Sequence, residues 1–178
     1  MLGKLLGKDQ NVFVPDGNIF FSLRPIADIL FHCKNENIEM FLIAIDYFRM
    51  FDCLEHSFIF KTLQTFNFGE NLIGWVKTLY NEGKSCVLNG YKLEYFDVQR
   101  SARQGDPISP YLFILCLELL LFSIRHDPNI SGISILNNEV KVTSFAHDCT
   151  YFIKSLLSVI NLFNKINEFG FILGLQIN

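Results

Sequence analysis

Apolar residues recur along this chain with two different periods, and the period changes from segment to segment. Phe20, Leu23, Ala27 and Leu30 follow the three-and-four spacing of one helix face within Ile19 to Phe31. Pro25 falls inside that window, so the helix either starts there or kinks there. Met40 to Ile45 is a continuous apolar run closed by Asp46, which predicts a buried strand with a carboxylate at its carboxyl end. Leu54 to Phe66 and Asn71 to Tyr80 predict two amphipathic helices separated by Phe68-Gly69. Lys84 to Leu88 and Tyr91 to Val98 flank Asn89-Gly90, a dipeptide that favours the type I′ turn, and so predict a hairpin.

In the second half, Ser109-Pro110 offers a helix cap followed by proline at the first helical position. The segment from there to about His126 is apolar on nearly all sides and predicts a buried helix. Ile133 to Leu136, Val140 to Phe145 and Cys149 to Ile153 are short β-type runs, the last two joined by Ala146-His147-Asp148. Leu156, Val159, Ile160, Phe163, Ile166 and Phe169 give an amphipathic helix that should stop at Gly170, and Leu175 to Ile177 reads as a final strand. The order predicts an α+β domain, with helices packed on one face of an antiparallel sheet.

Composition narrows the class. The 178 residues suit one domain. Half are apolar, 19 are Phe, and 19% are charged against a typical ~25%. That excludes a disordered chain and suggests a piece of a larger protein, since a free-standing domain carries more surface charge. Fifteen Lys and Arg against eighteen Asp and Glu leave a net charge of -3, so no basic excess announces a nucleic-acid partner. Cys33, Cys53, Cys86, Cys116 and Cys149 are odd in number and lack C-x-x-C spacing, which points to reduced, mostly buried thiols in an intracellular protein. The apolar core of MLGKLLGKDQ is too short for a signal peptide. Tyr111 to Ile124 falls short of the ~20 residues that span a bilayer, so no membrane partner is expected.

Two acidic sites stand at strand ends: Asp46, and His147-Asp148 in the turn of the last hairpin. One charged residue after an apolar run ordinarily marks where the chain reaches water. Two, brought side by side in one sheet, would let carboxylates share divalent cations; Mg²⁺ takes one or two carboxylates plus substrate phosphates. Arg103-Gln104-Gly105-Asp106-Pro107-Ile108-Ser109-Pro110 is a loop-to-helix junction, which accounts for its Gly, Ser and Pro but not for Arg-Gln. His32, His56 and His126 share no ligand spacing and read as surface or locally bonded residues. Trp75 and the Phe-rich helices read as core, and Tyr91 and Tyr95 as packing on one hairpin face.

The octapeptide resembles the R-Q-G-D-P-L-S-P signature of the reverse transcriptases of LINE-type (non-LTR) retrotransposons, with Ile108 in place of Leu. Ala44-Ile45-Asp46-Tyr47-Phe48-Arg49-Met50-Phe51-Asp52 resembles the family's I-D-F-x-K-A-F-D, and Phe145-Ala146-His147-Asp148 stands in the place of F-A-D-D. Asp9-Gln10 with Phe13-Val14-Pro15, and Gly174-Leu175-Gln176-Ile177-Asn178, resemble the flanking stretches, so the likeness covers about residues 9 to 178. It implies a right-hand polymerase fold, residues 1–178 being a partial domain: the palm and part of the fingers, without fingertips or thumb. It implies RNA-templated DNA synthesis, with an RNA template, a DNA primer and dNTPs as partners, and a cytoplasmic and nuclear location. Two Mg²⁺ ions about 3.5–4 Å apart would serve that reaction, with Mn²⁺ as a possible substitute.

By the same resemblance Asp46 is a ligand to both metals, and the family's paired aspartates at the turn are here His147 and Asp148. Phe51 matches the position whose ring rejects a ribose 2′-hydroxyl. Arg103, Gln104 and Gly105 match positions against the incoming nucleotide and template, and Arg49 could meet the triphosphate. Asp52 and Asp106 are expected to cap or pair locally. His147 is the departure that matters, because imidazole suits Zn, Cu or Ni whereas Mg²⁺ demands oxygen. A loss of even ~4 kcal/mol of transition-state stabilisation would slow the reaction about a thousandfold. Other departures are Met50 in place of a small Ala, and Val12-Phe13 with Asp16-Gly17-Asn18 where the family has Gly-Phe and Gly-Arg. The resemblance thus implies an impaired reverse transcriptase fragment. The alternatives are a non-catalytic palm-fold protein that binds RNA or a protein partner, and an intron-type maturase, which would need an RNA-binding extension.

Overall fold

The computed structural model describes residues 5–12, 17–48, 50–81, 83–88, 90–98, 100–103, 105–173 and 176–177. In chain order the elements are α1 (Ile19–Asn35), β1 (Phe41–Phe48), α2 (Met50–Cys53), α3 (His56–Thr65), α4 (Glu70–Tyr80), β2 (Lys84–Ser85) and β3 (Phe96–Asp97). There follow α5 (Ser109–His126), β4 (Ile133–Ile135), β5 (Asn138–Val140), β6 (Val142–Phe145), β7 (Asp148–Ile153), α6 (Leu156–Leu173) and β8 (Gln176–Ile177). The α+β class read from the sequence is what forms.

A four-stranded antiparallel sheet in the order β6-β7-β1-β8 organises the molecule. β1 runs against β7 from Phe41↔Ile153 to Asp46↔Asp148, and β6 pairs with β7 from Val142↔Tyr151 to Phe145↔Asp148. Tyr47 and Phe48 at the end of β1 pair with β8. The outer edge of β6 is covered by the N-terminal segment: the Ser144 N–H donates to the Asp9 carbonyl at 2.9 Å, and the Asn11 N–H to the Ser144 carbonyl at 3.3 Å. An open strand edge would template pairing with another chain, and this contact blocks it.

One sheet face carries Ile45, Tyr47, Cys149, Tyr151 and Ile153 into the main core, where they meet residues of α3, α4, α5 and α6. α5 is the centre of that core. Residues Leu112 to Glu118, Leu120, Leu121 and Ile124 are all buried, as expected of a helix that is apolar all round. It is longer than the apolar run read from the sequence, and by length and composition alone it would suffice to cross a membrane. In this fold it is the core helix.

Not every helix lies on that face. Phe152 points the other way and packs with Ile29 and Cys33 of α1 and with Ile133, so the expected one-faced layer is instead four helices on one side and α1 on the other. α1 also starts before Pro25 and continues past it, capped at its start by the Asn18 side chain, which accepts from the Phe20 N–H at 3.0 Å. Its buried residues are Ser22, Ile29 and Cys33, whereas Phe20 is 70% exposed. Apolar residues surround this helix, so spacing could not select the buried side.

Other boundaries shift for identifiable reasons. β1 continues two residues past Asp46, and only Ile45 and Tyr47 of its described side chains are buried, because its other face is left uncovered. The expected Val140 to Phe145 strand breaks at Lys141. Its buried ammonium donates to the carbonyls of Arg125 and Asp127 at 2.9 Å each, and so tethers the chain to the carboxyl end of α5. β5 therefore pairs with β4 while β6 pairs with β7. The cap expected of Ser109 does not form: Ile108 holds the cap position without a side-chain cap bond, and the Ser109 hydroxyl bonds the buried Tyr80 hydroxyl at 2.9 Å. The Asp106 carboxylate accepts from the Ile108 N–H at 3.0 Å in the turn just ahead of the helix. The expected hairpin is paired at Lys84↔Asp97, Ser85↔Phe96 and Leu88↔Lys92, and α6 passes through Gly170.

Candidate metal centre

The β1–β7 register sets Asp46 directly opposite Asp148. Phe145 pairs with Asp148 across a two-residue turn, Ala146-His147, in which Ala146 takes φ 55° in the left-handed region. This turn brings His147 back over β1, with its Nε2 3.8 Å from Asp46 Oδ1. One ligand atom from each of Asp46, His147 and Asp148 lies within 4.8 Å of the others. Among the described residues this is where three potential metal ligands converge. All three reach solvent, Asp46 and His147 being 56% and 44% exposed, so a cation and an anionic substrate have access.

Beneath these exposed groups the alternate residues of the same strands form a buried, uncharged floor. The Tyr47 and Tyr151 hydroxyls bond each other at 2.7 Å across the sheet. Burial raises both above the ordinary tyrosine range and pushes the Cys149 thiol up to about 12, so all three stay protonated. Alternation along two paired strands thus separates a charged outer surface from a neutral inner one.

The donor set does not match a pair of magnesium ions. Two carboxylates suit Mg²⁺, but the third position offers an imidazole nitrogen, a softer donor than the oxygen that ion demands. The group also carries one negative charge fewer than three carboxylates would.

Other residues singled out in the sequence are placed as follows. Phe51 lies on α2, half-buried, with its ring stacked on Phe113 of α5 at 4.3 Å and 24°. The Ala102 N–H donates to the Phe51 carbonyl at 2.7 Å, which ties α2 to the start of the octapeptide. Arg103 is exposed with its guanidinium 5.8 Å from the Tyr80 ring, and Gly105 takes φ 86°, a backbone angle that suits glycine. Arg49 and Gln104 lie outside the described residues, as do the Met50 side chain and the Phe13-Val14-Pro15 stretch. Asp106 bonds locally, to the Ile108 N–H, as expected. Trp75 does not join the core: it is 69% exposed, and Tyr91 and Tyr95 are exposed as well.

Two features had no sequence signal. A cavity of about 700 Å³ is lined by Glu55, His56, Tyr80, Lys84, Asp97 and Arg100 among others. In it His56 sits edge-on to Tyr80 at 4.9 Å and bonds the Ser101 carbonyl at 3.1 Å, and burial lowers its pKa below the usual histidine value. The second is an ion cluster in which Arg125 contacts both Asp9, at 2.7 Å, and the buried Glu118. The Gly7 N–H also donates to Glu118, at 3.0 Å. Each is assembled from segments far apart in the chain, which no local spacing reveals.

The sequence matches the family described as reverse transcriptase (RNA-dependent DNA polymerase) over residues 4–178. It is 29% identical over 171 residues to a retrovirus-related Pol polyprotein from type-2 retrotransposable element R2DM of Drosophila melanogaster, a match covering 95% of this chain and 16% of that protein. It is 26% identical over 148 residues to a transposon TX1 uncharacterized 149 kDa protein of Xenopus laevis, covering 83% of this chain and 11% of that one. A Pol polyprotein from type-1 retrotransposable element R2 of Popillia japonica is 27% identical over 136 residues, which make up 75% of this chain and 19% of the relative. The chain therefore spans less than a fifth of each of these relatives.

Proposed function

Because the chain belongs to the reverse transcriptase (RNA-dependent DNA polymerase) family, we propose that it is the palm and part of the fingers of a non-LTR retrotransposon polymerase whose catalytic centre is impaired. The observation that carries this reading is the pairing of Asp46 with Asp148 across β1 and β7, with His147 in the adjoining β6–β7 turn. Two carboxylates from distant segments meeting at the exposed end of two paired strands are what metal-assisted nucleotidyl transfer requires of a protein. Asp46 and Asp148 are the residues that would hold the divalent cations of such a reaction, which would supply activation of the primer hydroxyl and charge neutralisation at the triphosphate.

The chain's own residues then have assignable parts. Asp46 and Asp148 are the metal carboxylates, and His147 stands where a third would complete the set. We assign Phe51, which stacks on Phe113, to the sugar of an incoming dNTP; its carbonyl anchors Ala102 just before Arg103, Gln104 and Gly105. By family resemblance we assign those three to nucleotide and template, and Arg49 to the triphosphate. RNA template and DNA primer are the partners this reading requires. The net charge of -3 leaves backbone neutralisation of those nucleic acids to the rest of the longer protein.

Primer extension on an RNA template tests the reading. The chain and its His147→Asp variant are each supplied with flanking fingertip and thumb segments of a related polyprotein and assayed with Mg²⁺. The variant is expected to extend primers about a thousandfold faster than the original, which corresponds to ~4 kcal/mol. Equal rates would show that His147 is no lesion. Failure of both, with folding intact, would remove the polymerase reading.

A further inference from the structure

We propose that Asp46, His147 and Asp148 form a site for a single transition cation of the zinc class, selecting it over Mg²⁺. The proposal rests on the preceding reading only for taking this place as a metal centre; the ion preference follows from the side chains themselves. Zinc-class ions bind imidazole nitrogen at about 2.0–2.1 Å and carboxylate oxygen at about 2.0–2.2 Å, so two ligand atoms on one tetrahedral ion lie about 3.4 Å apart. His147 Nε2 and Asp46 Oδ1 are already 3.8 Å apart, and no pair in the group exceeds 4.8 Å. Side chains this exposed close the remaining distance by small rotations about their own bonds, with the strand pairing untouched.

Three protein ligands leave the fourth position of a tetrahedron open to solvent, the arrangement of zinc sites that keep a bound water. One nitrogen and two oxygens are a donor set for borderline cations, which also bind more tightly than hard ions at any N/O site. A magnesium ion would lose a carboxylate here and gain only a nitrogen it does not favour. His147 thereby changes which metal the centre holds as well as how strongly it holds a given one.

Equilibrium binding tests this without reference to polymerase activity. Co²⁺ serves as the spectroscopic stand-in for zinc, and Mg²⁺ as the competitor. The protein is the whole chain carrying Cys53→Ser and Cys86→Ser, which remove the two half-buried thiols. One Co²⁺ per chain should bind about 100-fold or more tightly than Mg²⁺, with the visible absorption of a nitrogen–oxygen site and a raised thermal midpoint. His147→Ala should weaken Co²⁺ about tenfold or more while leaving Mg²⁺ affinity unchanged, and His147→Asp should narrow the Co²⁺-to-Mg²⁺ ratio by a similar factor. Mg²⁺ binding as tightly as Co²⁺ would overturn the proposal. So would Co²⁺ binding that survives His147→Ala, because the ion would then sit elsewhere. Primer extension can fail while these results hold, and the reverse, so each idea falls by its own measurement.

Discussion

Glu118 carries a carboxylate into the middle of an otherwise apolar helix, and its surroundings show what that requires. Burial pushes its pKa up to about 6 from the usual carboxylate range, against the opposing pull of Arg125 beside it. A folded-state pKa above the unfolded one means that the stabilisation is fully present below about pH 4.5 and is lost as pH rises through about 6. Relative to Glu118→Gln, the native chain should therefore lose about 2 kcal/mol of stability between pH 4.5 and 7. Denaturant unfolding of both proteins at several pH values measures this, and parallel pH profiles would contradict it. Asp46, His147 and Asp148 were legible at this scale because a charge ending an apolar run is a local event, and motif resemblance joined the two places. Glu118 was legible only as an interruption of an apolar run, since Gly7, whose N–H it accepts, and Asp9, which shares Arg125 with it, lie more than a hundred residues away. Trp75 was misjudged: an aromatic side chain on a helix does not disclose which way its helix faces.

Among the elements, α5 distributes its residues most unevenly between core and surface. Leu117 has no solvent exposure while Phe122, five positions on, is mostly exposed. Leu117→Ala should cost about 2–5 kcal/mol through lost burial and a residual cavity, and Phe122→Ala no more than about 0.5 kcal/mol, both read from urea unfolding. A similar cost for the two would mean that α5 is not seated as described. The existence of α3, α4 and α6 was legible from period, because each buries a stripe of regular spacing, and that of α5 from a long apolar run behind Ser109-Pro110. The facing of α1 was not, since Phe20, Phe21, Leu23, Leu30 and Phe31 compete with Ile29 and Cys33 for the inner side. Nor was the division of β5 from β6, which depends on an ammonium reaching across to the end of another helix.

The sheet of the whole molecule is closed on one side by residues 9–11, which occupy the free edge of β6. Deleting residues 1–11 removes those backbone bonds together with the Asp9–Arg125 ion pair. The thermal midpoint should fall by roughly 5–15 °C, from about 2–4 kcal/mol of lost interactions. The bared edge should also promote self-association, visible by light scattering. An unchanged midpoint and a monodisperse protein would show that the segment contributes nothing. This edge contact had no signature in the sequence, because a parallel bridge between residues 10 and 144 involves neither apolar alternation nor a turn. The same long reach governs the candidate centre. Asp46 is synthesised early and Asp148 late, and at about 5–20 residues per second a ribosome takes roughly 5–20 s to make the chain between them. Until β7 has emerged to pair with β1 the nascent chain cannot bring Asp46, His147 and Asp148 together, so premature termination anywhere before that strand yields a product without the candidate centre.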